Sequence, residues 1–244
     1  MSLAVQALLK KLYSINQYVR ISRGKVEELE RIYRRTWQIM LRTGNVQATL
    51  RTHHYPELSR WLMPLYPKDV VKYLRYSPRI GRVVCEEYSA EFQVELFHLK
   101  VFQIQQPVLD IGCGSRANLV RYLRLLGIDA YGIDRFLDTQ DDYLEQADWF
   151  DYVFEPDRWG TIISNMAFTN HLTYTYHHDR TRLERYLLKM DNIIQSLGIG
   201  GSFHYAPSLP FVEQRLAPTQ YKVVRKRVMD EIGVSTITRI TGLV

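Results

Sequence analysis

Leu8, Leu9, Leu12 and Ile15 recur at helical spacing near the start of the chain, a pattern that predicts an amphipathic helix. A second helix is predicted over about 25–43, with Val26, Leu29, Tyr33, Trp37 and Met40 on one face. Glu27, Glu28 and Glu30 sit in its first turns, Arg42 in its last, and Gly44 follows. Those charges complement the helix dipole, and the glycine suits a left-handed stop. Pro56, Pro64, Pro67 and Pro78 then break the chain into short pieces. Pro67 can open a helix through Asp69–Leu74, and a longer helix is expected from Val83 to about Leu99. No internal repeat or low-complexity tract appears.

After Pro107 the period changes. Val108–Ile111 reads as a short buried strand, Ala117–Leu126 as a helix with Leu119, Tyr122, Leu123 and Leu126 inward, and Gly127 as its stop. Further strands are expected at Ala130–Ile133, Thr161–Ser164 and Ser202–Tyr205, with a helix over about Thr181–Leu197 before Gly198, Gly200 and Gly201. Tyr221–Val228 and Ser235–Ile240 look like closing strands, the second rich in β-branched residues. Strands alternating with helices imply an α/β domain with a mostly parallel sheet covered on both faces. Such sheets bind ligands beyond the C-terminal ends of their strands, where the chain reverses its winding. The expected organisation is an all-helical region over 1–104, serving as lid and substrate selector, and a ligand-binding α/β domain over 105–244.

Composition narrows the class. No apolar run is long enough to span a bilayer, and MSLAVQALLKKL lacks the layout of a signal peptide, so a cytoplasmic protein is expected. Two cysteines, Cys85 and Cys113, make no disulfide framework or zinc site. Residues 1–100 hold 17 Lys+Arg against 9 Asp+Glu, whereas 101–244 hold 15 against 17. The basic excess therefore belongs to the N-terminal part, either as a solvated surface or as a grip on a polyanion such as RNA.

The turn VLDIGCGSRANL (108–119) carries the most chemistry. Gly112-x-Gly114-x-x-Ala117, with Asp134 about 20 residues after the turn, satisfies the dinucleotide pattern. Asp110 argues against it, because a carboxylate two residues before the first glycine repels a pyrophosphate. A cationic ligand reverses that logic. S-adenosylmethionine has no phosphate and carries an ammonium and a sulfonium, for which a nearby carboxylate is favourable. At this point the sequence resembles the class I S-adenosylmethionine-dependent methyltransferases, whose first motif is hydrophobic strand, acid, x, Gly, x, Gly. The resemblance continues in order over 107–244. Asp134, ending YGID and followed by Arg135, matches the acid for the ribose hydroxyls. Asp148-Trp149 resembles the pair at the adenine. Ile162-Ile163-Ser164-Asn165 resembles the fourth strand, ending beside the methyl group, and the 197–203 turn resembles the approach to the fifth. The resemblance implies a Rossmann-like seven-stranded sheet with helices on both faces. It also implies S-adenosylmethionine as methyl donor, with S-adenosylhomocysteine as product, at Asp110, Gly112, Gly114, Asp134, Arg135, Asp148, Trp149 and Asn165. Arg116 departs from the family, which often has a third glycine there; it either points outward or meets the ligand's carboxylate.

Methyl transfer needs an aligned nucleophile and, for an acidic one, a base. Asn165 and Phe168 occupy the ends of an N-P-P-F type motif whose prolines are missing here. His171, Tyr174 and His178 are the catalytic candidates, from a polar-aromatic run that also holds Tyr176, His177 and Asp179; ordinary structural roles are the alternative. His204 and Tyr205 are further pocket candidates. Adjacent side chains in His177-His178-Asp179 diverge, so no metal is expected. Tyr55, Trp61, Tyr66, Tyr73 and Tyr76 either stack on a flat substrate or form core. The leading expectation is a methyltransferase of a small-molecule acceptor. The alternatives are an RNA methyltransferase and a non-catalytic module that binds the cofactor.

Overall fold

Val108–Ile111 (β1) and Trp159–Asn165 (β4) are buried along their whole length, as the central strands of a sheet covered on both faces must be. The computed structural model describes residues 3–15, 21–62, 64, 88–139, 141–228 and 232–241. The helix expected at 69–74 and the aromatic candidates Tyr66, Tyr73 and Tyr76 lie outside them. The chain divides into two compact units, Met1–Glu86 and Glu87–Val244. The segment 88–104, assigned by sequence to the helical region, falls in the second unit.

The first unit is helical. Helix α1 (Leu3–Ile15) buries Val5, Leu9 and Leu12. Helix α2 (Arg23–Thr43) starts at Ser22, whose hydroxyl accepts from the Lys25 amide. It stops at Gly44, held at φ +63° while its amide donates to the Met40 carbonyl. The buried stripe of α2 is Leu29, Ile32 and Thr36. This corrects the face read from sequence: Trp37 is 63% exposed. Helix α3 (Val46–Thr49), a π turn (Leu50–His54) and helix α4 (Tyr55–Leu62) follow without a break. Trp61, fully buried, donates from its indole to the Lys25 carbonyl at 2.9 Å, tying α4 to α2. Thr36 Oγ1 donates to the Ile32 carbonyl and lies 3.1 Å from His54 Nδ1.

In the second unit a short helix, α5 (Ala90–Leu96), is capped by Ser89, so the helix expected from Val83 begins, within the described residues, only at Ala90. The remaining elements are α6 (Asn118–Leu125), β2 (Ala130–Asp134), β3 (Leu144–Gln146), α7 (Phe168–His178), α8 (Arg180–Gln195), β5 (Leu197–Ala206), α9 (Pro210–Glu213), β6 (Tyr221–Val228) and β7 (Ile232–Arg239). The sheet runs β3-β2-β1-β4-β5-β7-β6. Strands β1 to β5 are parallel, and β7 enters antiparallel to β5 and β6. This is the seven-stranded, Rossmann-like sheet expected, with its winding reversed between β1 and β4.

Alternation along β1 assigns each face. Leu109 and Ile111 pack with Ile162, Phe203, Met190 and Ile194 on the α8 side. Val108 packs with Ile163, Ala130, Leu119, Leu123 and Leu96 on the side of α5 and α6. Asp110 shares the pleat of Val108 and therefore points to this second side. Its registered neighbours are Gly132 and Ile163. Two residues further on, Asp134 and Asn165 end β2 and β4 on that same side. One sheet edge thus gathers two carboxylates and an amide.

Candidate functional site

The turn leaving β1 needs residues free of a Cβ. Gly112 has φ +77° and Gly114 φ +80°, a conformation that costs other residues roughly 1–2 kcal/mol. Gly112 also touches the turn leaving β4: a Cβ placed there meets Ala167 Cβ at 2.3 Å. The third left-handed residue is the buried Ala117, at φ +50°. Position 116 is not left-handed, which explains why arginine is accommodated where the family often has glycine. The Arg116 side chain is exposed, and its carbonyl accepts from Arg121 Nε.

The end of β2 holds this turn in place. Gly112 and Cys113 amides donate to the Ile133 carbonyl, and the Gly114 amide donates to Asp134 Oδ2 at 3.0 Å. Asp134 Oδ1 accepts from the Phe136 amide at 2.9 Å. Cys113 fills the space above Gly132, where a Cβ would meet its sulfur at 2.8 Å. Burial and the charges of Asp110 and Asp134 push the Cys113 thiol well above its ordinary range, so it stays protonated. The loop after β2 is laced to the turn by two groups absent from the sequence reading. Ser115 donates to Asp138, and Arg121 on α6 donates to Asp141, Thr139 and the Tyr143 hydroxyl. The sequence signal was there, in an arginine on the polar side of α6 and the acids Asp138, Asp141 and Asp142 after β2.

Asp110 is strongly perturbed at this edge. Its side chain is buried, and neither carboxylate oxygen has a hydrogen-bond partner among the described residues. Burial, then the negative charge of Asp134, pushes its pKa up to about 7. Both polar atoms of the Asn165 amide and the Trp149 indole N–H are likewise buried without a partner. Buried polar groups are nearly always satisfied; Asp110 and Asn165 are exceptions on one face of this edge, and the Trp159 indole N–H, at the opposite end of β4, is a further one among the described residues.

Asp148 accepts from the Phe150 amide through Oδ1, which shapes the turn that carries Trp149. The Trp149 ring is buried against Phe168 at 5.7 Å and His171 at 4.9 Å, with the Arg135 guanidinium 5.2 Å from its centroid.

The three catalytic candidates lie on one helix, α7, at spacings that share a face. His171 is buried, and burial, Arg135 and Arg182 depress its pKa well below the usual range, so its ring is neutral. Tyr174 is buried and packs 4.9 Å from the His178 ring, while His178 is exposed. His178 lies ten residues from Phe168, about 15 Å along the helix axis. The structure thus brings His171 against Trp149 and carries His178 away from the β4 end. His204 and Tyr205 have structural partners: His204 bonds Ser202 and Thr236, and the Tyr205 hydroxyl donates to Glu213 at 2.7 Å.

No protein-family model and no curated protein matches the chain. Solved structures similar to it include S-adenosylmethionine-dependent methyltransferases. One is 1,6-didemethyltoxoflavin-N1-methyltransferase from Burkholderia thailandensis, with bound 1,6-didemethyltoxoflavin and S-adenosylhomocysteine. It has 13% identity, covers 71% of this chain and 87% of its own, and has a TM-score of 0.44. A second is an S-adenosylmethionine-dependent methyltransferase from Bacteroides fragilis in complex with S-adenosylhomocysteine, at 15% identity, 60% and 77% coverage and a TM-score of 0.43. A third, from Mesorhizobium loti, has 20% identity, 62% and 65% coverage and a TM-score of 0.34.

Proposed function

We propose that the chain binds S-adenosylmethionine at the C-terminal edge of β1, β2 and β4 and is a methyltransferase. The observation that carries this reading is Asp110, a buried carboxylate without a hydrogen-bond partner, beside a glycine turn and a second acid. A pyrophosphate would add charge of the same sign to that edge. A cation supplies the missing counter-charge. Asp110 then receives the cationic methionine end, Asp134 the ribose hydroxyls, and Asp148 with Trp149 the adenine; Gly112 and Gly114 allow close backbone approach. When bound, the cofactor supplies an electrophilic methyl group on a sulfonium. Asn165 presents its amide at the β4 end, where the acceptor is held. Of the three α7 candidates, His171 is the one this reading keeps, as a neutral imidazole packed on Trp149.

The first reading of the acceptor is a small molecule, in keeping with the burial of the Asn165 amide at the β4 end. The second is RNA, favoured by the charge of the Met1–Glu86 unit, with 16 Lys+Arg against 6 Asp+Glu. The test is incubation with methyl-tritiated S-adenosylmethionine and a cell extract, followed by separation of small molecules from RNA. Label among small molecules supports the first reading, and label only in RNA supports the second. Cofactor binding without any transfer leaves a non-catalytic module.

A further inference from the structure

Helices α2 and α4 enclose a groove of 580 Å³ whose lining is dominated by guanidinium groups, from Arg31, Arg34, Arg35 and Arg60. Its floor is apolar, made by the buried Ile32 and Trp61. Two acids also line it, and both are engaged: Glu28 pairs with Lys25 at 2.7 Å and Glu57 with Arg35 at 3.4 Å. Arg31, Arg34 and Arg60 have no carboxylate within salt-bridge reach among the described residues. On α2, Arg31 and Arg34 stand about 4.5 Å apart along the axis, and Gln38 continues the row about 6 Å further. Three residues from Arg34, Trp37 turns its indole to solvent, 63% exposed.

We infer that this groove is a docking surface for single-stranded RNA. Guanidinium groups in a row form bidentate hydrogen bonds with successive phosphates. The exposed indole offers a face on which a base stacks regardless of sequence. Gln38, the neutral polar side chain of the lining, both donates and accepts, as a ribose 2′-hydroxyl requires and deoxyribose does not. The Met1–Glu86 unit, which holds the groove, carries a formal charge of +10, against −4 for the rest of the chain, which favours an anionic partner. Every residue used lies within Met1–Glu86, so the inference does not rest on the cofactor site, and the two fail separately.

The test is fluorescence anisotropy with a labelled single-stranded RNA of mixed sequence and the full chain, titrated at several salt concentrations. DNA of the same sequence and polyglutamate serve as competitors. Replacing Arg31, Arg34 and Arg60 together by Ala removes three phosphate contacts and should lower the slope of log affinity against log salt by about 2. Replacing the three by Lys should keep most of that slope, because the charge remains. Trp37→Ala, at a mostly exposed position, should weaken binding about fivefold. An unchanged slope in the Ala variant, unchanged affinity in Trp37→Ala, or displacement of the RNA by polyglutamate or DNA at equal concentration overturns the inference.

Discussion

Replacing Asp110 by Asn keeps the shape of the side chain and removes its titration. In the folded chain its pKa is about 7, raised by burial and by Asp134, against an unfolded value near 3.9. A carboxyl with a raised native pKa binds its proton more tightly when folded. Its contribution is therefore fully present below the unfolded pKa and is lost as pH rises through the folded one. Roughly three pH units at about 1.4 kcal/mol each gives a loss of about 4 kcal/mol between pH 4 and pH 7. The wild-type profile alone hides this. Burial lowers the pKa of His204 to about 4, and stability from a neutral buried histidine is lost as pH falls below about 6.5, a slope of opposite sign. The informative quantity is the difference between Asp110→Asn and wild type, in which His204 cancels. Urea unfolding at steps from about pH 4 to pH 8 should show the variant gaining on wild type by about 1.4 kcal/mol per unit, then a plateau above about pH 7. A difference that stays flat with pH refutes the claim that Asp110 is held buried against its charge.

Gly112→Ala places a methyl 2.3 Å from Ala167 Cβ at φ +77° and should cost about 3 kcal/mol in urea unfolding. Adding Ala167→Gly should recover the contact part but not the backbone part; a double variant no more stable than the single one counts against this contact. Glu213 is buried, with Tyr205, Leu209 and Arg225 donating to it. Burial raises its pKa, but hydrogen bonds from Ser235, Tyr205, Leu209 and Arg225 outweigh that and hold it below the ordinary value. Glu213→Gln should therefore cost about 2–3 kcal/mol near neutral pH, and the gap to wild type should close as pH falls through the folded pKa; a pH-independent gap speaks against the charged form. Arg121→Ala should speed amide exchange at Asp138, whose N–H donates to Ser115, while the melting temperature moves little, and unchanged exchange removes Arg121 from its bracing role.

Legibility followed the physics of each segment. Strands β1 and β2 and the turn between β1 and α6 were readable because buried parallel strands are short apolar runs, and a left-handed turn demands glycine at 112 and 114. Strand β3 was missed, since its three residues, Leu144–Gln146, bury only Leu144. Helix α7 gives little signal in sequence, because threonines, tyrosines and histidines at 169–178 mask its period, although Phe168, His171, Leu172 and Thr175 face the core. The buried face of α2 was misjudged for a related reason. An apolar residue at 37 reads as core, yet Thr36 takes that position and satisfies its hydroxyl within the helix. The acids Asp110 and Asp134 were legible as chemistry; their gathering with Asn165 on one face required the register.

Calorimetric titration of S-adenosylmethionine into the protein, between about pH 5.5 and pH 7 in buffers of differing ionisation enthalpy, tests the central claim directly. A cation seated at Asp110 lowers that group's pKa, so binding should release a proton and tighten by up to about tenfold per pH unit, levelling near pH 7. A dinucleotide such as NAD should not compete. Affinity independent of pH with no proton released, or displacement of the ligand by NAD, would contradict the account.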